Sequence, residues 1–453
     1  MRPAAYFGIA TRLKSVVSRF AEYFRSSTRS VAAQAIEYAH GLVQAERKNM
    51  EKMAEAVPDT NNQRLQHFLT NSPWDHQKVV NHVAKDADKH LGGHLDTSLS
   101  VDESGFLKKG KMSVAVNRQW CGRFGKVDNC QVGVFANLCN GMNHTLVDCR
   151  LYIPEDWIKD PERCRKVGIP EDDIVFKTKS QLALEIVRRA RVNGLRFNWV
   201  GLDGGYGKEP WLLRALEDDG EIFMADVHKD QMIWLDDPRP CLPDWSGRGK
   251  KPVHMQPDCA SIRVDKWAKQ QPEAAWKAIT IRKSTKGALN VKILHARVWV
   301  WDGHEDNARC WHLIIRREIK SPNKIKYSLC NALCTESVER LAFMQGQRFW
   351  IERSFQDGKS YCGMADYQAR QWSSWHHHMA MVMIAMLFML EERLLQREDK
   401  PLLSCADIVD ILRNVLPKAS VSEADIMALI NERHKRRRSA IDSAENIESK
   451  IPI

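Results

Sequence analysis

No stretch of this sequence is long and apolar enough to cross a bilayer. The longest apolar run, Met379 to Leu390, has 12 residues, short of the roughly 20 that a spanning helix needs, so it reads as a buried helix. Cysteines occur twelve times but never as Cys-x-x-Cys. Cys121, Cys130, Cys139 and Cys149 are spaced like scattered strand and core positions, so no zinc site is expected. Nothing resembles a secretory signal, and reduced thiols in a cytoplasm are the simplest account. Acids are scarce at the start: Glu22 is the single one in the first 30 residues. That stretch, rich in Arg and Ser, mimics an organelle transit peptide; a basic DNA-contacting arm or a plain amphipathic helix accounts for it equally well.

What is present describes a globular chain with a polyanionic partner. The 453 residues are 43% hydrophobic and 28% charged, enough for a large core and two or three domains. The net charge of +11 favours nucleic acid, since no membrane segment is present.

Periodicity then divides the chain. Residues 1–94 read as all helical: a helical pattern over Ala33 to Met53, a short helix marked by Leu65, Phe68 and Leu69, and a third opening at Ser72-Pro73 and stopping at Gly92-Gly93. From about 96 the period becomes 2. Leu99 and Val101 mark one strand and Cys130 to Leu138 a second; Asn140-Gly141 signals a hairpin into a third that ends at Pro154. A helix over 178–193, a buried strand over Phe197 to Leu202, a helix near 209–217 and a strand over Glu221 to Val227 follow. The order β-β-β-α-β-α-β, with acids at the ends of the first and fourth strands, predicts an α/β, RNase H-like core over 95–227 and 336–398. Residues 228–335, with strand-like runs at 291–301, 310–319 and 325–331, read as a β-rich insertion before the last helix of that core. Trp299, Trp301 and Trp311 are expected chiefly to pack the insertion itself; stacking on unpaired bases is the alternative. Residues 399–453 read as C-terminal helices and a basic, frayed tail.

Three acids stand out by position: Asp102, Asp203 and Glu352. Asp102 and Asp203 stand next to glycine-rich turns and could be turn formers. Glu352 with Arg348 could be an ordinary i, i+4 pair on a helix spanning Glu336 to Gln356. If one sheet gathers the three, their hard oxygen donors suit two Mg²⁺ ions, with Mn²⁺ as a substitute, and in-line phosphoryl displacement. Lys108, Lys109 and Lys111 would add a phosphate-facing surface. Arg348 and Lys359 flank Glu352 by one and two helical turns, as a site that also grips phosphate requires.

The stretches Asp102-Glu-Ser-Gly-Phe-Leu-Lys-Lys-Gly110, Gly201-Leu-Asp-Gly-Gly-Tyr-Gly207 and Arg348-x3-Glu352-x6-Lys359 resemble those of bacterial insertion-sequence DDE transposases. The similarity is to the group named after insertion sequence 701, related to the cut-and-paste enzymes with a Tyr-Arg-Glu-Lys signature. Glu46-Arg-Lys-Asn49, Gly125-Lys-Val-Asp-Asn-Cys-Gln-Val-Gly-Val134 and Leu151-Tyr-Ile-Pro154 are similar too, so the likeness covers roughly residues 20 to 395 in order. The resemblance implies catalytic, metal-holding acids at Asp102, Asp203 and Glu352, with Arg348 and Lys359 on the transposon-end DNA. It implies a helical domain that recognises terminal inverted repeats, a homodimer on paired double-stranded DNA ends, and a cytoplasmic, nucleoid-associated protein. The signature tyrosine position holds Gln345, which bears on the DNA contact expected there. A catalytically impaired, transposase-derived DNA-binding protein or repressor is the alternative reading.

Overall fold

The computed structural model describes residues 8–25, 29–284, 287–419 and 422–448. Parts of the basic N-terminal stretch (1–7 and 26–28) and the last five residues of the tail lie outside them. The described residues begin with five helices: α1 (Ile9–Ser18), α2 (Ala32–Gln44), α3 (Met50–Ala56), α4 (Asn62–Thr70) and α5 (His76–Leu91). The helical pattern expected over Ala33 to Met53 is two helices, and α3 starts where the Asn49 side chain accepts a hydrogen bond from the Lys52 amide. The cap of α5 is Asp75, not Ser72: its carboxylate accepts from the amides of Gln77 and Lys78, and a charged acceptor serves the positive end of a helix well.

Next come β1 (Thr97–Leu107), β2 (Asn117–Cys121), β3 (Lys126–Asn140), β4 (Asn143–Leu151), the short helices α6 (Glu155–Ile158) and α7 (Pro161–Lys166), and α8 (Lys179–Val192). β3 and β4 form the hairpin that Asn140-Gly141 signals, with Gly141 at φ +59° and in the left-handed region. β1 is longer than expected. Asp102-Glu-Ser-Gly is not a turn but mid-strand, each residue paired across to β3. Gly105 makes that continuation possible, because a Cβ there would lie 2.4 Å from the Cys121 sulfur.

After β5 (Trp199–Leu202), α9 (Gly204–Gly207), α10 (Pro210–Asp218) and β6 (Phe223–Val227), the chain passes through β7 (Met232–Ile233), β8 (Ile262–Arg263) and α11 (Val264–Gln270). It then builds β9 (Lys277–Ser284), β10 (Gly287–Val300), β11 (Arg309–Glu318) and β12 (Ser321–Cys330). All but β7 and β8 belong to one 10-stranded mixed sheet, ordered β2-β3-β1-β5-β6-β12-β11-β10-β9, with β4 also on β3. β1, β5 and β6 run parallel; β3 is antiparallel to β1, and β12 to β6. The meander of β9 to β12 therefore continues the sheet edge to edge with β6. Trp311 points back from it: its indole N–H donates to Glu217 of α10 at 2.8 Å, and its ring meets Phe223 edge-on.

The last helices are α12 (Val338–Gln347), α13 (Phe349–Tyr361), α14 (Trp372–Leu395), α15 (Cys405–Val415) and α16 (Glu423–Glu448). The single helix expected from Glu336 to Gln356 is interrupted at Arg348, whose backbone stays near helical values (φ −55°, ψ −25°), which is why residue periodicity does not reveal the break. The basic tail is helical in α16. Among the described residues, no helix is long and apolar enough to cross a membrane. The run Met379 to Leu390 is instead fully buried in α14, against which α1, α2, α4 and α5 pack. One apolar core extends from Ile9 in α1 through the sheet to Leu416. The three consecutive histidines of α14 fasten this packing. His377 bonds the carbonyls of Leu69 and Trp74 at 2.8 and 2.9 Å, and His378 bonds the Tyr38 hydroxyl at 2.8 Å.

Candidate active site

Strand register gathers the acids. Val101 of β1 pairs with Leu202 of β5, and Leu202 pairs with Ala225 of β6. The next residue on each strand is an aspartate: Asp102, Asp203 and Asp226. Three carboxylates thus stand in a row across three adjacent parallel strands, at the carboxyl end of β5 and β6 where open sheets collect ligands. Asp226 was not among the sequence candidates. An acid near the end of the third parallel strand, β6, is the signal that points to it.

Local structure orients each side chain. The Asp102 carboxylate accepts from the Glu103 amide at 2.7 Å. Asp203 caps α9, accepting from the amides of Gly205 and Tyr206 at 2.9 and 3.2 Å. The glycines after it allow close approach: a Cβ on Gly207 would fall 1.9 Å from the Asp226 carbonyl oxygen. Without that clearance α9 could not sit on β6.

The opposite wall is α13. Arg348, at its start, reaches three acids with one guanidinium: Nε lies 3.2 Å from Asp226, Nη1 3.3 Å from Asp102 and Nη2 3.0 Å from Glu352. Its side chain is 14% exposed whereas that of Glu352 is 53%. Glu352 is therefore the solvent-facing member of the cluster. α13 continues past Gly358, so Lys359 lines the same cleft, about 1130 Å³ in volume, together with Asp102, Asp203, Glu352, Trp120 and His228.

The other sequence candidates lie elsewhere. Gln345 is buried, donating to the Ser328 hydroxyl at 2.7 Å. Lys108 donates to the Tyr367 carbonyl at 2.9 Å and lies 3.3 Å from the centre of its ring; burial brings its pKa down to about 7. Lys109 is exposed, and neither lysine lines the cleft.

Burial, then the neighbouring Asp203, pushes the Asp102 carboxyl up to about 7 against the pull of Arg348. Burial alone would lower the Arg348 pKa, but Asp226, Asp102 and Glu352 outweigh it and raise it. Such a crowd of carboxylates favours any added positive charge, and carboxylate oxygens are hard donors suited to a divalent cation. Among the described residues, no three Asp, Glu, His or Cys side chains already converge as a ligand set. Asp102 and Asp203 are near enough for the Asp203 charge to raise the Asp102 carboxyl, and Glu352 is held by Arg348.

A cleft of acids at the ends of parallel strands, faced by the helix that brings Arg348 and Lys359 to it, suits phosphoryl transfer. Consistent with this, the chain belongs to the DDE superfamily endonuclease family, whose profile matches residues 19–288. The matched segment contains Asp102, Asp203 and Asp226 and ends before Arg348 and Glu352. More particularly, the chain is 29% identical over 197 residues to a protein of Microchaete diplosiphon described as a probable transposase for insertion sequence element IS701. That alignment covers 42% of this chain and 48% of the relative, so the chain spans about half the length of the curated relative it matches.

Proposed function

We propose that this protein is a DNA transposase that binds the terminal inverted repeats of its own element and performs metal-dependent strand cleavage and strand transfer. The observation that carries the reading is the register that lines Asp102 and Asp203 side by side, opposite the helix bearing Arg348, Glu352 and Lys359. The strand order β4-β3-β1-β5-β6, antiparallel then parallel, supports an RNase H-like core over 95–227 and 336–398. Residues 228–335 are then an insertion, 399–453 a C-terminal extension, and 1–94 the DNA-end reader.

Asp102, Asp203 and Glu352 would hold two Mg²⁺ ions, or Mn²⁺ in their place. When bound, such ions supply activation of the attacking oxygen and stabilisation of the leaving one. The chain's own contribution is positional. Asp203 is immobilised by two α9 amides, and Asp102 by its place in the β1–β3 ladder and by the Glu103 amide. Lys359 and, once released from the acids, Arg348 grip scissile-strand phosphates. Residues 1–94 supply sequence recognition, two copies bring paired double-stranded ends together, and the protein works in the cytoplasm on the nucleoid.

A supercoiled plasmid carrying the element's ends, incubated with the protein and Mg²⁺ or Mn²⁺, tests the reading: linear excised product is expected. Retained end binding with intact plasmid at every metal concentration would instead favour a DNA-binding protein that no longer cuts. The burial of Gln345 at the signature tyrosine position is the observation on that side.

A further inference from the structure

Gln345, Ser328, Asp226 and Arg348 form a continuous hydrogen-bonded chain into the site. The Gln345 amide donates to the Ser328 hydroxyl at 2.7 Å. Ser328 donates to Asp226 Oδ1 at 2.7 Å. Asp226 Oδ2 receives Arg348 Nε at 3.2 Å, with Lys326 Nζ 3.8 Å away. Ser328 is fully buried and Gln345 4% exposed. Both oxygens of Asp226 are thus committed to protein groups, as are those of Asp102, whereas Asp203 accepts its two amide bonds through Oδ1. The Gln345 carbonyl oxygen is buried with no partner among the described residues. An orphaned acceptor is costly, and an apolar residue would fill the position more cheaply, so the useful part of this side chain is its donor.

We propose that Asp226 is a positioning residue that anchors Arg348, with Ser328 and Gln345 as its support, and so sets how strongly Arg348 competes with a divalent cation for Asp102 and Glu352. The inference rests on the reading of Asp102 and Asp203 as the metal-holding pair. With Nε fixed on Asp226, the guanidinium shares its charge among three acids. Lacking that anchor, it rests on Asp102 and Glu352 alone and holds them against the ion.

The test is Mn²⁺ binding to the full-length protein without DNA, followed by loss of the free-ion electron paramagnetic resonance signal. Asp226→Asn is expected to weaken binding about tenfold, the scale on which groups behind metal ligands act. Ser328→Ala, and the nearly isosteric Gln345→Met, should weaken it less but in the same direction although neither alters charge. Wild-type binding by Asp226→Asn would overturn the proposal. So would weakened binding by Asp226→Asn with both uncharged variants at wild-type affinity, because Asp226 would then act through charge alone. Asp203→Ala is the control. Should it bind Mn²⁺ as well as wild type, the metal-site reading itself fails; should it lose binding while the Asp226, Ser328 and Gln345 variants keep it, only the anchor does.

Discussion

Arg348 and Glu352 form one ion pair yet carry opposite expectations. Arg348 is the cation shared by Asp102, Asp226 and Glu352, two of them well buried. Removing it leaves those acids facing one another, and breaking a buried pair in this way costs about 3–5 kcal/mol. Glu352 is half exposed, so its pair with Arg348 is screened and contributes under about 1 kcal/mol. Urea unfolding of Arg348→Ala and Glu352→Ala should therefore show a large loss and almost none, respectively, while both abolish strand cleavage. Equal destabilisation would contradict the assignment of Glu352 as the exposed, functional end of the cluster. Gly207 makes a second residue-scale prediction. The atom its Cβ would strike is backbone, the Asp226 carbonyl at 1.9 Å, so Gly207→Ala should destabilise by about 1–3 kcal/mol in the same assay. An alanine variant as stable as wild type would mean that α9 can lift away from β6 freely.

At the level of elements, α14 ties stability to pH through buried histidines. Burial is the first cause that lowers His376, His377 and His378, and it brings His378 down to about 3. His76, whose ring lies tilted against that of His376, is lowered to about 4, again by burial first. A histidine depressed in the folded state stabilises fully above its unfolded value near 6.5 and loses that contribution as pH falls toward the folded value. Tm should accordingly hold from pH 8 to 7 and fall steadily between about 6.5 and 4, with about one proton taken up per histidine on unfolding. A Tm flat over that interval would contradict the lowering of these side chains by burial. The elements also show what sequence could carry. The period-2 runs, the Asn140-Gly141 hairpin and the βαβ units were legible because each is a local pattern. The break at Arg348 was not, since its φ and ψ remain helical and only the side chain's two long-range partners, Asp102 and Asp226, distinguish it. Asp102 was misplaced at a strand end because Asp-Glu-Ser-Gly carries turn chemistry, and that preference is overridden by the pairing of these four residues with β3.

Across the whole molecule, the N-terminal helices and the sheet share one core through α14. The helices of residues 1–94 cover apolar side chains of α14 that would otherwise meet water. A fragment of residues 95–453 should therefore aggregate or bind a hydrophobic dye strongly, although 1–94 reads as a separate DNA-recognition unit in sequence. A soluble, cooperatively folding fragment would show that the interface is dispensable. Sequence periodicity could place the helices but not their seat on α14, because that contact joins residues some 300 positions apart, such as His377 and Leu69. The acids were legible as candidates for a related reason: each sits at a recognisable local position, while their convergence depends on the register of β1, β5 and β6.

The central claim is that this convergence makes one cutting site. The most direct measurement compares Asp203→Ala with wild type on DNA bearing the element's ends, scoring end binding by gel shift and nicking with Mg²⁺ in parallel. The account predicts undiminished binding with no detectable nicking. Nicking that persists at the wild-type rate would remove Asp203 from the chemistry and, with it, the site described above.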